Sequence, residues 1–387
     1  MTDDRIARVE PTGDAQWTGR FFLPGPTEVL DEVLRAQSRP MIGHRGAAFE
    51  ALMAGITPRL QAIFRTTRPV YIASCSATGF MEASLRNGAR ERVLSLVNGA
   101  FSERYYQIAR ACGLHVESLE VPAGQAHRAE MVARALERGA SDGKPFDAVT
   151  VVHSETSTGV LNPLPEIAAA VHAAGDVAVL VDAVTSIAGA PVETDAWELD
   201  VVLTGSQKAL ALPPGLALGV AHPRVLERAR ARRDRGIYFD FLEFEKFAAR
   251  NQTPSTPAVS LIHALDEQCA RIERETIGAR WARHGAMASR TWRWAETMRE
   301  RGLDVRILAP DGFRSPTVSC LTLPAEHTGS AVNAEMKRRG FVISAGYGPL
   351  KDSTIRIGHM GDHSVEELDA LLAELESVLR SASRSAR

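Results

Sequence analysis

Three apolar runs in the middle of the chain each lead to a polar side chain: DAVTVVHSE to Thr156, VAVLV to Asp182 and DVVLTGSQ to Lys208. Such runs read as strands, and consecutive strand ends bring these groups into one neighbourhood. Lys208 stands in TGSQKALALPPG between two apolar stretches. Partial desolvation there lowers its pKa and leaves more of the free amine that attacks an aldehyde. Asp182 closes a wholly apolar strand, where a carboxylate needs a cationic partner. A protonated pyridine nitrogen would serve. Upstream, VYIASCSATGFMEASLRNG passes from a strand through Ser76, Ala77, Thr78 and Gly79 into a helix. Unpaired amides at a helix start, with two hydroxyls, make a cup for a phosphate. The Gly-Lys-Ser/Thr ending of a nucleotide-triphosphate loop is missing. Taken singly, each group has a plainer reading: a solvated loop lysine, an aspartate capping a turn, an ordinary Ser/Thr helix cap. Their convergence favours chemistry.

The elements that must position them follow from hydrophobic patterning. VYIAS, RVLSLV, HVESLEV, DAVTVVH, VAVLVDAV, DVVLTGS and LALGVA alternate with amphipathic segments. That pattern predicts a mostly parallel, seven-stranded sheet sandwiched by helices. LPEIAAAVHAAG has helical spacing and ends on Gly175, a helix-terminating residue. VSLIHALDEQCARIERETIGARWARHGAMASRTWRWAETMRERG reads as a long helical stretch, followed by short strands in VSCLTLP, FVISAGY and TIRIGHM and a final helix in SVEELDALLAELESVLR. The expected plan is α/β: a tail over residues 1–20, a large domain over 21–260 and a smaller C-terminal α+β domain over 261–387. The first residues and the SRSAR tail read as frayed ends, and the arginines of ERARARRDRG as a solvated helix face.

Composition bounds the function. A chain of 387 residues with 45% hydrophobic content can bury a large core, and its net charge of −2 offers no field for nucleic acid or an anionic membrane. Cys75, Cys112, Cys269 and Cys320 form no C-x-x-C pair, so neither a metal site nor a disulfide framework is expected. The polar, acidic start and the lack of a run of about 18 apolar residues point to the cytoplasm.

With these residues in hand, the sequence resembles the class V aminotransferases of pyridoxal-phosphate (PLP) fold type I. The nearest likeness is to the alanine–glyoxylate, serine–glyoxylate and serine–pyruvate members. It runs from FFLPGPTEVL through SCSATGFMEA, NGAFSERY, HSETSTGVLNPL, LVDAVTSIAG and TGSQKALALPPG to TIRIGHMG. The resemblance implies that Lys208 carries PLP as a Schiff base, that Asp182 pairs with the pyridinium nitrogen and that Thr156 lies near the ring hydroxyl. It puts Val184 on one ring face and Phe101 on the other, and Ser76, Ala77, Thr78 and Gln207 on the phosphate. NQTPSTPAV resembles a segment that reaches a neighbouring subunit's site, which implies a homodimer with Thr256 as a phosphate contact across the interface. Thr253 replaces a tyrosine, and Thr78 a histidine, found in some relatives. Arg356 matches the arginine that holds the substrate carboxylate, as a guanidinium fork does bidentately; a surface salt-bridge arginine is its plainer reading. His44 and Arg45, in MIGHRGAAFE, match a segment that in phosphoserine aminotransferases holds the substrate phosphate, and similar segments occur in serine and glyoxylate enzymes.

The expected reaction is ping-pong transfer of an amino group from alanine or serine to glyoxylate or pyruvate. Phosphoserine or 2-aminoethylphosphonate transamination is the alternative. A lyase of the cysteine desulfurase kind would need a mobile cysteine, whereas Cys320 sits in a strand-like segment. A non-catalytic PLP-fold regulator would be expected to lack the lysine or the aspartate.

Overall fold

The computed structural model describes residues 20–385. The expected N-terminal tail therefore lies outside the described residues apart from Arg20, as do the last two residues of SRSAR. The β-branched runs pair as anticipated: β1 (Tyr71–Ala73), β2 (Arg92–Val97), β3 (His115–Glu120), β4 (Ala148–Val152), β5 (Ala178–Asp182), β6 (Val201–Gly205) and β7 (Ala217–Ala221). They form one sheet in the order β1-β7-β6-β5-β4-β2-β3. β7 runs antiparallel to both of its neighbours, β1 and β6, and the other pairings are parallel.

Side chains alternate between two helical layers, as the period of two along a strand requires. Val149 and Val151 of β4, with Val179 and Val181 of β5, pack into one core, while Ala148, Val152, Ala178 and Leu180 pack into the other. The helices of this half are α1 (Asp31–Ala36), α2 (Ala47–Phe64), α3 (Ala77–Gly88), α4 (Ala100–Ala111), α5 (Ala129–Ser141), α6 (Leu164–Ala173), α7 (Pro223–Ala231), α8 (Phe241–Ala248) and α9 (Val259–Glu275). α2, α5, α6 and α9 cover one face, and α3, α4, α7 and α8 the other. Gly175 takes φ +109° just past the end of α6, a conformation only glycine adopts freely.

The rest of the chain builds a second layer pair. α10 (Ile277–Glu300), α11 (Gly329–Arg338) and α12 (Val365–Ser385) pack on an antiparallel sheet of β8 (Arg306–Ile307), β9 (Val318–Thr322), β10 (Ser344–Ala345) and β11 (Thr354–Gly358). Its order is β8-β9-β11-β10. Phe22, far upstream, is fully buried in this smaller core. Val259, Ile262, Leu265 and Ile272 of α9 join the large core, whereas Met287, Ala295 and Met298 of α10 pack in the smaller one. No helix among the described residues is long and apolar enough to cross a membrane.

Two local features go beyond or against the sequence pattern. The long helical stretch is two helices divided at Thr276, which takes φ +69° and whose hydroxyl caps the next helix by accepting from Ala279 N at 3.3 Å. Helical periodicity continues through the break, which is why the pattern hides it. The arginines of 227–236 are not all a solvated face: Arg228 is buried and donates to the carbonyls of Gly88 (2.8 Å), Asp147 (2.7 Å) and Asp176 (2.8 Å). It ties the end of α3 to the segments that lead into β4 and β5.

The two halves are joined by a buried ion network. Arg280 of α10, 1% exposed, binds Asp362 (2.8 Å), Glu275 (2.9 Å) and the carbonyl of Ala209 (2.8 Å). Burial alone would raise the Asp362 pKa, but Arg280 and Gln268 hold it below the ordinary value. Removing one partner strands the other charge in a low dielectric. Arg280→Ala should therefore cost about 3–5 kcal/mol, read as a lower denaturant midpoint at neutral pH. That deficit should shrink as pH falls through the Asp362 pKa, because a protonated Asp362 no longer needs a cation; a surface-like loss under 1 kcal/mol would show that the network is inessential.

Candidate active site

The functional cleft lies beyond the carboxyl ends of β4, β5 and β6, where parallel sheets gather ligands. It contains about 550 Å³ of empty space including its open mouth. Ser76, Ala77, Thr78, Phe101, Thr156, Asp182, Val184, Gln207 and Lys208, all expected from sequence, line it. Asp182 is the last residue of β5, and Lys208 stands three residues past β6.

Lys208 is buried, and desolvation lowers its pKa to about 8, with Arg356 adding to the shift and Asp182 opposing it. Its Nζ donates to the Pro24 carbonyl and sits 5.6 Å from the centre of the Phe101 ring. The backbone of this loop is held by Thr27, whose N donates to the Gln207 carbonyl (3.0 Å) and whose hydroxyl donates to that of Lys208 (3.2 Å). Gly25 has φ +105°, and a Cβ there would lie 2.3–2.7 Å from the Lys208 side chain. Glycine is required both by the backbone and by the lysine's approach.

Asp182 is also buried, and desolvation pushes its carboxyl up to about 7 against the lowering effect of the Val184 amide, which donates to Oδ1 at 2.8 Å. A carboxylate facing a cleft and struggling to stay ionised suits a cationic ring nitrogen, which would restore its charge. At the other end, Ser76 is the N-cap of α3, yet its hydroxyl makes no capping bond. The first amides of α3 and this hydroxyl thus face the cleft with a helix dipole behind them, as a phosphate needs. Thr156 Oγ1 lies 2.7 Å from Thr185 Oγ1, beside Asp182. These groups together fit PLP: an amine for its aldehyde, a carboxylate for its nitrogen and amides for its phosphate.

Arg356 reaches over from β11. It is buried and donates to the Thr156 carbonyl (3.3 Å), the Ala345 carbonyl (3.2 Å) and Ser344 Oγ (3.0 Å). Among the described residues it makes no salt bridge, so its charge is available to a ligand carboxylate. Its guanidinium lies 5.6 Å from the Tyr347 ring centre, and Tyr347 lies 5.8 Å from Phe101. Lys208, Phe101, Tyr347 and Arg356 therefore form a continuous wall.

His44, Arg45 and Thr256 lie apart from this cleft. Arg45 donates to the carbonyls of Thr253 (2.5 Å) and Pro254 (2.9 Å), and Thr256 Oγ1 lies 3.4 Å from His44 Nε2. Within one chain they form their own cluster; Thr253 is buried, its hydroxyl turned to the Ser255 carbonyl at 2.8 Å. Sequence reasoning missed Pro24, Gly25, Tyr347, Arg104 and Glu155. Arg104, 5.1 Å over Phe101, was findable, since a residue three places along a helix shares its face. Cys320 is fully buried within β9, and burial pushes its thiol up to about 11, as suits a structural cysteine.

Residues 87–370 match the family model described as Aminotransferase class-V. The chain is 34% identical to the soluble hydrogenase small subunit of Synechococcus sp. (strain PCC 6716), over 93% of this chain and 92% of that one. It is 31% identical to the L-aspartate–glyoxylate aminotransferase of Paracoccus denitrificans (strain Pd 1222), with 88% and 86% covered. The crystal structure of alanine–glyoxylate aminotransferase from Nostoc sp. aligns with a TM-score of 0.87 at 28% identity, covering 98% of this chain and 99% of that chain. Regarding the hydrogenase name, no three His, Cys, Asp or Glu side chains among the described residues gather where they could hold a metal ion.

Two outcomes test this geometry. In cofactor-free protein, the rate at which Lys208 condenses with an aldehyde should rise with pH around a midpoint of about 8, where the amine loses its proton; a midpoint near the ordinary lysine value would show that the amine is solvated. Gly25→Ala should displace the Lys208 side chain and slow that condensation by about a hundredfold, since a misplacement of about 1 Å costs that much.

Proposed function

The chain belongs to the class V aminotransferases, which are PLP-dependent transaminases, and from that premise we propose that it transfers the amino group of alanine or serine to glyoxylate or pyruvate in two half-reactions. The observation that carries the reading is the meeting around one cleft of a buried amine, a buried carboxylate and a guanidinium that makes no salt bridge among the described residues. Bound there, PLP supplies an aldehyde for the amino group and a ring that accepts electrons from the breaking Cα–H bond. Lys208 would hold it, with Asp182 at the ring nitrogen, Thr156 at the ring hydroxyl, Val184 and Phe101 against the ring faces, and Ser76, Ala77, Thr78 and Gln207 at the phosphate.

Each protein group then has a task. Arg356 grips the substrate carboxylate bidentately and turns the Cα–H bond toward Lys208. Lys208 Nζ, with a pKa of about 8, would take that proton from Cα and deliver it to the carbon that entered as the cofactor aldehyde, a role that favours a pKa close to the working pH. Asp182 would keep a negative charge beside the ring nitrogen. In the second half-reaction the same groups act in reverse order on the oxo acid.

The reading extends to a homodimer in the cytoplasm. The resemblance of NQTPSTPAV to a segment that reaches a neighbouring subunit's site supports the dimer. The His44–Thr256 cluster would face the partner's phosphate site across that interface, with Arg45 holding the Thr253–Pro254 carbonyls in place.

The deciding experiment is a single-turnover absorbance screen with alanine, serine, glycine, aspartate, glutamate, O-phosphoserine and 2-aminoethylphosphonate. Rapid conversion of the cofactor by alanine or serine is the expected result. Conversion by phosphoserine and glutamate alone would overturn the small-donor reading and make His44 and Arg45 specificity residues, and conversion by aspartate alone would overturn it in favour of a dicarboxylate donor. Arg356→Ala should lower kcat/KM for every donor by about tenfold to a hundredfold, the loss of one charge-assisted contact; unchanged values would place the carboxylate clamp elsewhere.

A further inference from the structure

We propose that Glu155 is a positioning residue of this site, fixing the Phe101 ring against the cofactor by capping α4 from a different element. The proposal rests on the Lys208 cofactor reading above. α4 begins after Gly99, which has no side chain to satisfy the first amides. The acceptor comes instead from 53 to 54 residues away: Glu155 Oε2 accepts from Ser102 N (2.9 Å) and Oε1 from Phe101 N (3.3 Å). Ser102 Oγ lies 3.0 Å from Oε2, and Ser157 donates to Oε1 through its hydroxyl (2.5 Å) and its amide (3.2 Å). The carboxylate is fully buried and has donors on both oxygens. A negative charge at a helix start also meets the positive end of the helix dipole.

The packing leaves no room for a cap on α4 itself. A Cβ at Gly99 would lie 2.5 Å from Glu155 Cγ and Cδ, so the glycine exists to admit this carboxylate. Nor could a Ser or Asp at position 99 tie α4 to the segment that bears Thr156. Glu155 does so, because its chain neighbour Thr156 lines the cleft and offers its carbonyl to Arg356 at 3.3 Å. The ring-face aromatic, the hydroxyl at the ring edge and the carboxylate clamp are thus referenced to one peptide segment. Phe101 is the second residue of α4 and is held through its own amide. Any tilt of the helix start would move its ring relative to Lys208 Nζ, 5.6 Å away, and Tyr347, 5.8 Å away.

The test is a double-mutant cycle in the full-length protein, comparing wild type, Glu155→Gln, Phe101→Ala and the double variant. The readouts are the PLP dissociation constant, the visible circular dichroism of bound PLP and the thermal midpoint of cofactor-free protein. Glu155→Gln is expected to weaken PLP binding by about tenfold and to reduce the dichroism, and the double variant to lose no more than Phe101→Ala alone. Losses that multiply would overturn the proposal, because Glu155 would then act independently of Phe101. A lower thermal midpoint with unchanged affinity and dichroism would overturn it too, leaving only a structural cap. Should Glu155→Gln fail to fold, Ser102→Ala, which removes part of the cap and keeps the carboxylate, replaces it in the cycle with the same expectations. Wild-type protein that takes up no PLP would defeat the underlying cofactor reading, whereas normal loading with a multiplicative cycle defeats only the role of Glu155.

Discussion

Desolvation at the carboxyl edge of the large sheet is the constraint on which the site depends. An amine and a carboxylate are both held out of water there, which brings Lys208 down to about 8 and Asp182 up to about 7. Both groups are thereby brought close to titrating at neutral pH. A ligand that brings an aldehyde to the first and a cation to the second relieves both, so the cost of burial becomes cofactor affinity and reactivity. The neighbouring Arg356 and Glu155 keep this balance local, one adding to and the other opposing the shift at Lys208.

The sheet makes such burial possible without leaving backbone groups unsatisfied. Parallel strands covered on both faces supply dry walls, and their ends are met by helix starts whose free amides take negative charge. α3 presents its start to the cleft with the Ser76 hydroxyl unspent, whereas α4 has its start filled by Glu155. The same element type thus serves once as a ligand site and once as a mount for an aromatic ring.

The C-terminal antiparallel sheet and its helices supply what the large sheet cannot. Arg356 comes from β11, and its geometry depends on Ser344 and Ala345 of β10. Its position relative to Lys208 is set by the junction through Arg280, which holds Asp362 on one side and the Ala209 carbonyl, next to the lysine, on the other. His284 adds to that junction, lying 3.2 Å from the Gly189 carbonyl and 3.0 Å from that of Gly361, and burial lowers its pKa to about 3. A neutral ring there donates to one carbonyl and needs no counter-ion.

By itself the sequence determined the seven strands, the alternation of the two helical layers and the polar groups at three strand ends, because each is a matter of local spacing. β-branched runs and helical periodicity are read within a dozen residues, and Thr156, Asp182 and Lys208 each follow such a run directly. Only the tertiary structure decided what those groups touch. Pro24 meets Lys208 across 184 residues, Arg356 meets Thr156 across 200, and Glu155 meets the start of α4 across 53 to 54. It also showed that Thr276 interrupts an unbroken helical pattern and that Arg228 is buried within an arginine-rich segment. In each case the outcome depends on which surfaces the fold presses together, and a contact between distant segments leaves no periodic signature in either of them.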